Sequence, residues 1–118
     1  MSGKNKTIGN ISVIYPGGRL NVNLTTDIEE EINLIFEEMP LNHLIVNLRD
    51  VEYLSSDCIR LFVSQMRDLN LAKREFILCN LSKTVKKILQ IVELQDRFNL
   101  FDNEEDAVKY LKEKQPFA

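Results

Sequence analysis

The amino-acid sequence predicts an α/β fold: one domain with a central, mostly parallel sheet of four to five strands and about four helices. From residue 43 onward, apolar strand-like runs alternate with segments of helical periodicity. This alternation is typical of right-handed crossovers between parallel strands. The run HLIVNLR at 43–49 is almost continuously apolar before its asparagine, as expected for a strand that is covered on both faces.

The chain before that strand is predicted to contain one strand and one helix. An apolar run at 7–15, TIGNISVIY, is broken by PGG, and residues 19–24 are expected to be extended or loop-like. Apolar residues then recur at helical spacing over 25–39, where Thr26 and Glu29 fit a capping box and a proline follows the last turn.

The remaining elements follow from periodicity and from helix-start signals. Ser82 is the expected N-cap of one of the helices, and acidic residues that suit the positive end of the helix dipole open the last one. The predicted elements are a helix at 57–70, a strand at 75–80, a helix at 82–92, a short strand at 97–101 and a helix at 102–114. The domain is expected to span 7–112, with loose termini at 1–6 and 113–118.

Composition excludes several classes of function. The formal net charge of −3 provides no clustered basic face for nucleic acid. No apolar run has the length of a membrane span or forms a signal peptide, so we expect a cytoplasmic protein without direct membrane insertion. Cys58 and Cys79 lack the spacing and companion histidines of a metal or redox site, which favours two reduced buried thiols and predicts neither a metal nor a cofactor.

Catalytic motifs are also missing from the sequence. There is no glycine-rich phosphate loop and no G-x-S-x-G elbow. His43, the only histidine, lies at the start of a predicted strand, opposite the edge where α/β enzymes place their catalytic groups, so we expect a structural role for it. The acidic runs lie at helix starts and on outer helix faces, where we expect the side chains to be exposed to solvent. We therefore predict a protein that is not an enzyme.

One polar cluster exceeds what a helix start requires. Ser55, Ser56 and Asp57 stand between the strand-like segment DVEYL and the helix predicted at 57–70. One serine as N-cap and one acid at the dipole would account for two of these residues. The second serine is not needed for the helix, and the free N–H groups at such a terminus favour an anion.

The surrounding segment, NHLIVNLRDVEYLSSDCIRLFVSQMRDLN, resembles the central part of the STAS domain, the fold of bacterial anti-sigma factor antagonists. The segment KREFILCNLSKTVKKILQIVELQDRFNLFDNEEDAV resembles the strand, helix and closing segment that follow in this family, so that the resemblance covers roughly 8–112. It implies a regulatory domain in which the second serine of a D-S-S-G-like tetrapeptide accepts phosphate from a kinase that is also the anti-sigma factor. The unmodified antagonist binds this kinase, and phosphate abolishes the binding.

The tetrapeptide of this chain departs from that pattern at three of four positions. Ser55 stands at the position of the aspartate, Ser56 at the first serine, Asp57 at the phosphoacceptor and Cys58 at the glycine. Asp57 cannot form phosphoserine, and we interpret it as a partial phosphomimic with Ser56 as a second candidate for modification. The side chain of Cys58 would narrow the approach of a kinase loop. A helix start can lower the pKa of a thiol, but inert packing is the preferred interpretation for this cysteine.

The resemblance implies a protein partner, an anti-sigma factor or serine kinase, that covers the loop and helix at 55–67. Arg60, Ser64 and Arg67 lie at helical spacing and are either partner contacts or an ordinary solvated face. The alternative function is that of a STAS subunit or scaffold in a transport, lipid-trafficking or signalling assembly. A small α/β enzyme or nucleotide binder is disfavoured by the missing glycine loop, and a homodimer remains open.

Overall fold

The computed structural model describes residues 5–114, and these form seven strands and four helices. The strands are β1 (Asn5–Ile8), β2 (Ile11–Ile14), β3 (Gly17–Leu20), β4 (His43–Asn47), β5 (Asp50–Leu54), β6 (Phe76–Cys79) and β7 (Asn99–Phe101). The helices are α1 (Val22–Glu38), α2 (Ser56–Leu71), α3 (Lys83–Ile91) and α4 (Glu104–Lys114).

The central sheet has five strands in the order β1-β2-β4-β6-β7. β2, β4, β6 and β7 are parallel to their neighbours, and only the edge strand β1 is antiparallel. The predicted fold class, a single α/β domain with a mostly parallel sheet and four helices, is therefore confirmed.

The first apolar run forms a hairpin and not a single strand. β1 pairs with β2 across a two-residue turn whose first residue, Gly9, has a φ of +59°, in the left-handed region that favours glycine. In this hairpin Asn5 lies opposite Ile14 and Lys6 opposite Val13. The ordered strand thus begins before residue 7, the predicted start of the domain, because β2 offers it a pairing edge.

The last helix ends at Lys114, as predicted for the helix, and so continues past residue 112, the predicted end of the domain. α4 continues to Lys114, whose Nζ lies 3.5 Å from a carboxylate oxygen of Glu75 at the start of β6. The prediction of loose termini otherwise concerns 1–4 and 115–118, which lie outside the described residues.

A second, two-stranded sheet was not predicted from the sequence. β3 pairs in parallel with β5, with an irregularity between Gly18 and Arg19. The guanidinium of Arg19 lies 4.5 Å from the ring centroid of Tyr53, within the range of a cation–π contact. The segment expected to be extended or loop-like thus pairs with the strand-like approach to the helix, and together they hold the chain that enters α2.

The start of α1 corrects the predicted capping box. The helix begins at Val22, and its N-cap is Asn21, whose side chain accepts a hydrogen bond from the amide of Leu24 at 3.0 Å. The hydroxyl of Thr26 donates to the carbonyl of Val22 at 3.2 Å and caps nothing. Asparagine is as good an N-cap as threonine or better, so the earlier signal determines the helix start.

The core lies on both faces of the central sheet. α1, α2 and α3 cover one face with Ile28, Ile32, Phe62, Leu69, Val85 and Leu89. α4 covers the other face with Ala107 and Leu111, against Val13, Ile45 and Ile77 of the strands. β4 is buried along its whole length, as expected for a strand that is covered from both sides.

Candidate functional site

Ser55 connects β5 to α2 and determines where the helix begins. Its Oγ accepts a hydrogen bond from the amide of Cys58 at 3.2 Å, and its carbonyl accepts one from the amide of Ile59 at 3.0 Å. Its own amide donates to the carbonyl of Leu20 in β3 at 3.0 Å. Ser55 is therefore the N-cap, and the hydrogen bond to β3 holds the helix entrance against the second sheet.

Ser56 and Asp57 are the polar groups that the helix entrance presents to solvent. Ser56 is the first residue of α2 and is exposed. The Asp57 side chain is 38% exposed and forms a salt bridge with Arg60, one turn further along the helix. The helix dipole and the Arg60 guanidinium therefore both partly compensate the negative charge of Asp57.

Cys58 lies beneath the helix entrance and not at its surface. The residue is fully buried, and this burial raises the pKa of its thiol to about 12, which a hydrogen bond with Thr25 only partly opposes. The expected contact of Cys58 with a partner and the narrowing of a kinase approach are therefore wrong for this conformation, because no part of the side chain reaches solvent. The preferred interpretation, an inert packed thiol, agrees with this burial.

The other two predicted contacts lie further along α2. Ser64 is half-buried, while Arg67 is exposed and has its Nε 3.8 Å from an Asp68 carboxylate oxygen. Arg67 follows Asp57 by ten residues, which corresponds to about 15 Å along a helix axis. The structure thus brings Asp57 and Arg60 together and places Arg67 too far from Asp57 to neutralise it.

A polar cavity at the carboxyl edge of the central sheet was missed by the sequence reasoning. It has a volume of about 660 Å³, and its walls combine residues from both ends of the chain. They are Asn5, Lys6, Tyr15, Asn47, Arg49, Asn80, Asn103, Glu104 and Glu105. These residues meet only in the folded chain, and the one sequence signal for them is polar residues that follow apolar strands.

Glu104 is the centre of that cavity wall. One carboxylate oxygen accepts from the side-chain amide of Asn47 at 3.0 Å, and the other lies 2.8 Å from Lys6 Nζ. Burial by itself raises the pKa of this carboxyl, but hydrogen bonds from Lys6, Asn47 and Tyr15 together lower it below its ordinary value. The expectation that this acidic run is a solvated face is therefore wrong for Glu104, which ties β1 and β4 to the start of α4.

His43 has the structural environment that was expected of it. It is buried at the start of β4, and its Nδ1 accepts a hydrogen bond from the amide of Glu75 at 2.9 Å. Burial lowers the pKa of its imidazole. Within residues 5–114, no three side chains of histidine, cysteine, aspartate or glutamate are grouped so that they could ligate a metal ion. Nor does any helix in this part of the chain combine the length and apolar character needed to cross a bilayer.

Comparison with known protein families identifies the fold directly. A model of the STAS domain matches residues 4–107, which is most of the chain. The chain belongs to the STAS domain family. The family predicted from the strand, the polar tetrapeptide and the following helix is thereby confirmed.

Solved structures of the same fold include regulatory proteins. SpoIIAA, an anti-sigma factor antagonist and Bacillus cell fate determinant, is similar in its unphosphorylated form with a TM-score of 0.72 and 21% identity, over 92% of this chain and 96% of SpoIIAA. A variant of RsbS from Moorella thermoacetica in which glutamate replaces a serine has a TM-score of 0.80 and 16% identity, over 97% of both chains. A chain from the stressosome, a signal integration and transduction hub, has a TM-score of 0.74 and 16% identity, over 97% of this chain and 100% of its own.

Proposed function

We propose that this STAS protein is a non-enzymatic regulatory protein of the anti-sigma factor antagonist kind, which acts in the cytoplasm. It docks a serine kinase or anti-sigma factor through the loop and helix at 55–67, with Asp57 in place of the phosphoacceptor serine. The observation that supports the proposal is a solvent-accessible carboxylate in the first turn of α2, beside an exposed serine. Membership of the STAS family and structural similarity to SpoIIAA support the regulatory role.

The electrostatics of the entrance predict an intermediate docking strength. A phosphoserine carries about −1.5 to −2 charges and three acceptor oxygens, whereas a carboxylate carries one charge and two oxygens. The salt bridge with Arg60 further offsets the charge of Asp57. We therefore expect Asp57 to weaken kinase docking less than a phosphate does, and we expect Arg60 to limit that weakening.

Binding to a host serine kinase of the anti-sigma class tests this proposal. Asp57→Asn removes the charge at nearly constant shape, and Asp57→Ser restores a phosphoacceptor. Both variants are expected to bind more tightly than the wild type. Only Asp57→Ser should gain phosphate from the kinase at that position and lose binding afterwards.

The matched control is Asp96→Asn, which removes an exposed carboxylate outside the proposed docking surface at 55–67. It should leave kinase binding unchanged. The proposal fails if no host kinase or anti-sigma factor binds any of the proteins, or if the variants at positions 57 and 96 bind alike.

Ser56 is the second candidate for modification. It is exposed at the first position of the helix, where backbone N–H groups favour a phosphate, although Asp57 would oppose it as a like charge. The intact mass of the protein from its own host, compared with that of Ser56→Ala, reports this directly. An added phosphate that persists in Ser56→Ala would exclude this serine.

A second candidate function is that of a STAS subunit in a larger assembly for signalling, transport or lipid trafficking. The likeness to a stressosome chain over nearly its whole length favours it, as does the absence of a serine at position 57. In this case the tagged protein should sediment from host extract in one large particle of constant composition. Asp57→Asn would then leave the sedimentation unchanged, whereas a kinase complex would become more abundant.

A further inference from the structure

The outer face of α1 carries acidic residues around one exposed leucine. Leu34 is 63% exposed, and the helix presents acids at one and two turns from it. We call this face the acidic flank, and it consists of Asp27, Glu30, Leu34, Glu37 and Glu38. All five residues are exposed, α1 contains no lysine or arginine, and none of these acids forms a salt bridge within residues 5–114.

The outer face of α3 has the opposite charge with a similar layout. Lys83, Lys87 and Ile91 follow one another at intervals of four residues and are all exposed, with Ile91 at 73%. We call this face the basic flank. α3 contains no acidic residue, and neither lysine has an ion-pair partner in the described part of the chain.

The order of the strands predicts that the two flanks lie on opposite sides of the same layer of helices. α1 leads from the β2 side of the sheet to β4, α2 joins β4 to β6, and α3 joins β6 to β7. Right-handed crossovers are expected to place each helix over the strands that it joins, which would put α2 between α1 and α3. Because these strands are parallel, all three helices return along the sheet in the same direction.

We propose that these flanks form a heterologous interface between copies of this chain, the acidic flank of one copy binding the basic flank of the next. A copy displaced sideways presents α3 parallel to α1 of its neighbour. In this register Ile91 meets Leu34, Lys87 meets Glu30 one turn away, and Lys83 meets Asp27 about two turns away. Each flank thereby covers an exposed apolar residue and pairs unpartnered charges.

A second copy fits these surfaces better than two unrelated partners, because one chain provides both complementary charges at matching spacing. Contacts of this type do not close by two-fold symmetry and generate open chains or rings. The interface uses neither Ser56 nor Asp57. It therefore goes beyond the regulatory function proposed above and does not depend on it.

Association should be weak and sensitive to salt, since it depends on exposed ion pairs. The Debye length falls from about 30 Å at 0.01 M salt to about 3 Å at 1 M. Sedimentation and light scattering at low salt should give a mean mass that rises above the 13.7 kDa of one chain as the concentration increases. At 1 M salt the mass should return to that of the monomer.

Charge reversal on one flank at a time tests whether the two flanks bind each other, and a mean mass above that of a dimer distinguishes open chains from a symmetric dimer. The basic-flank variant K83E/K87E and the acidic-flank variant E30K/E37K should each be monomeric alone. When they are mixed, the intact flanks pair with each other, and the two reversed flanks, which again have opposite charges, also pair, so the mixture should associate as the wild type does. A matched control, Lys109→Glu, reverses an exposed lysine on α4 and should leave self-association unchanged.

In a mixture of the neutral variants K83Q/K87Q and E30Q/E37Q only the two intact flanks attract each other, so a one-to-one dimer that grows no further should form. Circular dichroism verifies that all variants are folded. The proposal is overturned if the wild type remains monomeric at low salt and high concentration. It is also overturned if folded flank variants still associate alone, or if their mixture stays monomeric while the wild type associates.

Discussion

The entrances of α2 and α3 begin with the same cap and present different surfaces. Ser55 Oγ accepts from the amide of Cys58 at 3.2 Å, and Ser82 Oγ accepts from the amide of Val85 at 3.1 Å. The third helical residue is fully buried in both. The first turn of α2 contains an acid, Asp57, and that of α3 contains none.

The comparison separates what a helix start needs from what is added to it. α3 forms with one capping serine and one buried third residue, without a carboxylate at the dipole. The exposed Ser56 and the half-buried Asp57 of α2 are therefore not required for helix formation. They are available for recognition, and substitutions at the two entrances can test this division of roles.

The largest expected difference in stability between substitutions at the two helix entrances is at the buried third helical residue. Val85→Ala removes two methyl groups from the core and should lower the free energy of unfolding by about 2–3 kcal/mol. Cys58→Ala removes only a sulfur atom and should cost about 1 kcal/mol. Urea unfolding of both variants measures this, and an equal or larger loss for Cys58→Ala would contradict the comparison.

Alkaline pH should destabilise the protein through Cys58 but not through Val85. Burial raises the pKa of the thiol from an ordinary 9.0 to about 12, so the unfolded chain loses this proton at lower pH than the folded protein. Above pH 9 the free energy of unfolding should therefore fall, by up to about 1.4 kcal/mol per pH unit for this thiol.

Urea unfolding at pH 8, 9 and 10 measures that slope. Cys58→Ala should reduce it, and Val85→Ala should leave it unchanged. The buried Cys79 thiol, whose pKa is likewise raised to about 12, contributes a similar slope in all of these proteins. Identical slopes for Cys58→Ala and the wild type would show that Cys58 titrates alike in both states.

Loss of the cap should cost the same at both helices. Ser55→Ala and Ser82→Ala each remove one hydrogen bond to a backbone amide and should lower the free energy of unfolding by about 1 kcal/mol. The corresponding glycine variants should lower the free energy of unfolding by only a few tenths of a kcal/mol. Thermal unfolding compares the pairs. A much larger loss at Ser55 would mean that its position beside β3 contributes more than the cap does.

The smallest effects on stability are expected at the exposed positions. Asp57→Asn should change the free energy of unfolding by less than about 0.5 kcal/mol, since exposed ion pairs contribute little. Thr84→Asp, which adds an acid at the equivalent position of α3, should stabilise by about 0.3–1 kcal/mol. If Asp57→Asn unfolded the protein, the carboxylate would be structural and its proposed part in recognition would lose its basis.

Local signals predicted the elements around the candidate site well. The strand at β4, the Ser82 cap of α3 and the parallel order of the later strands all follow from periodicity and from capping signals. For α2 the same signals predicted a serine cap without deciding between Ser55 and Ser56, and the structure shows that it is Ser55. The same reasoning failed at α1, where Asn21 and Thr26 were both acceptable caps and the nearby apolar pattern suited either. It also treated DVEYL only as an approach to the helix, because the partner of β5 lies more than 30 residues earlier in the chain.

The sequence by itself determined the alternating strands and helices of the central sheet from residue 43 onward and the polar entrance of α2, because neighbouring residues decide periodicity and capping. Tertiary structure decided that the helix entrance is held by a hydrogen bond from the Ser55 amide to Leu20 of β3. It also decided that Glu104 joins Lys6 and Asn47 at a cavity. These relations depend on contacts between residues that are far apart in the chain. Such contacts form only as the chain folds, when the free energy of burial and pairing favours one packing of the helices on the sheet.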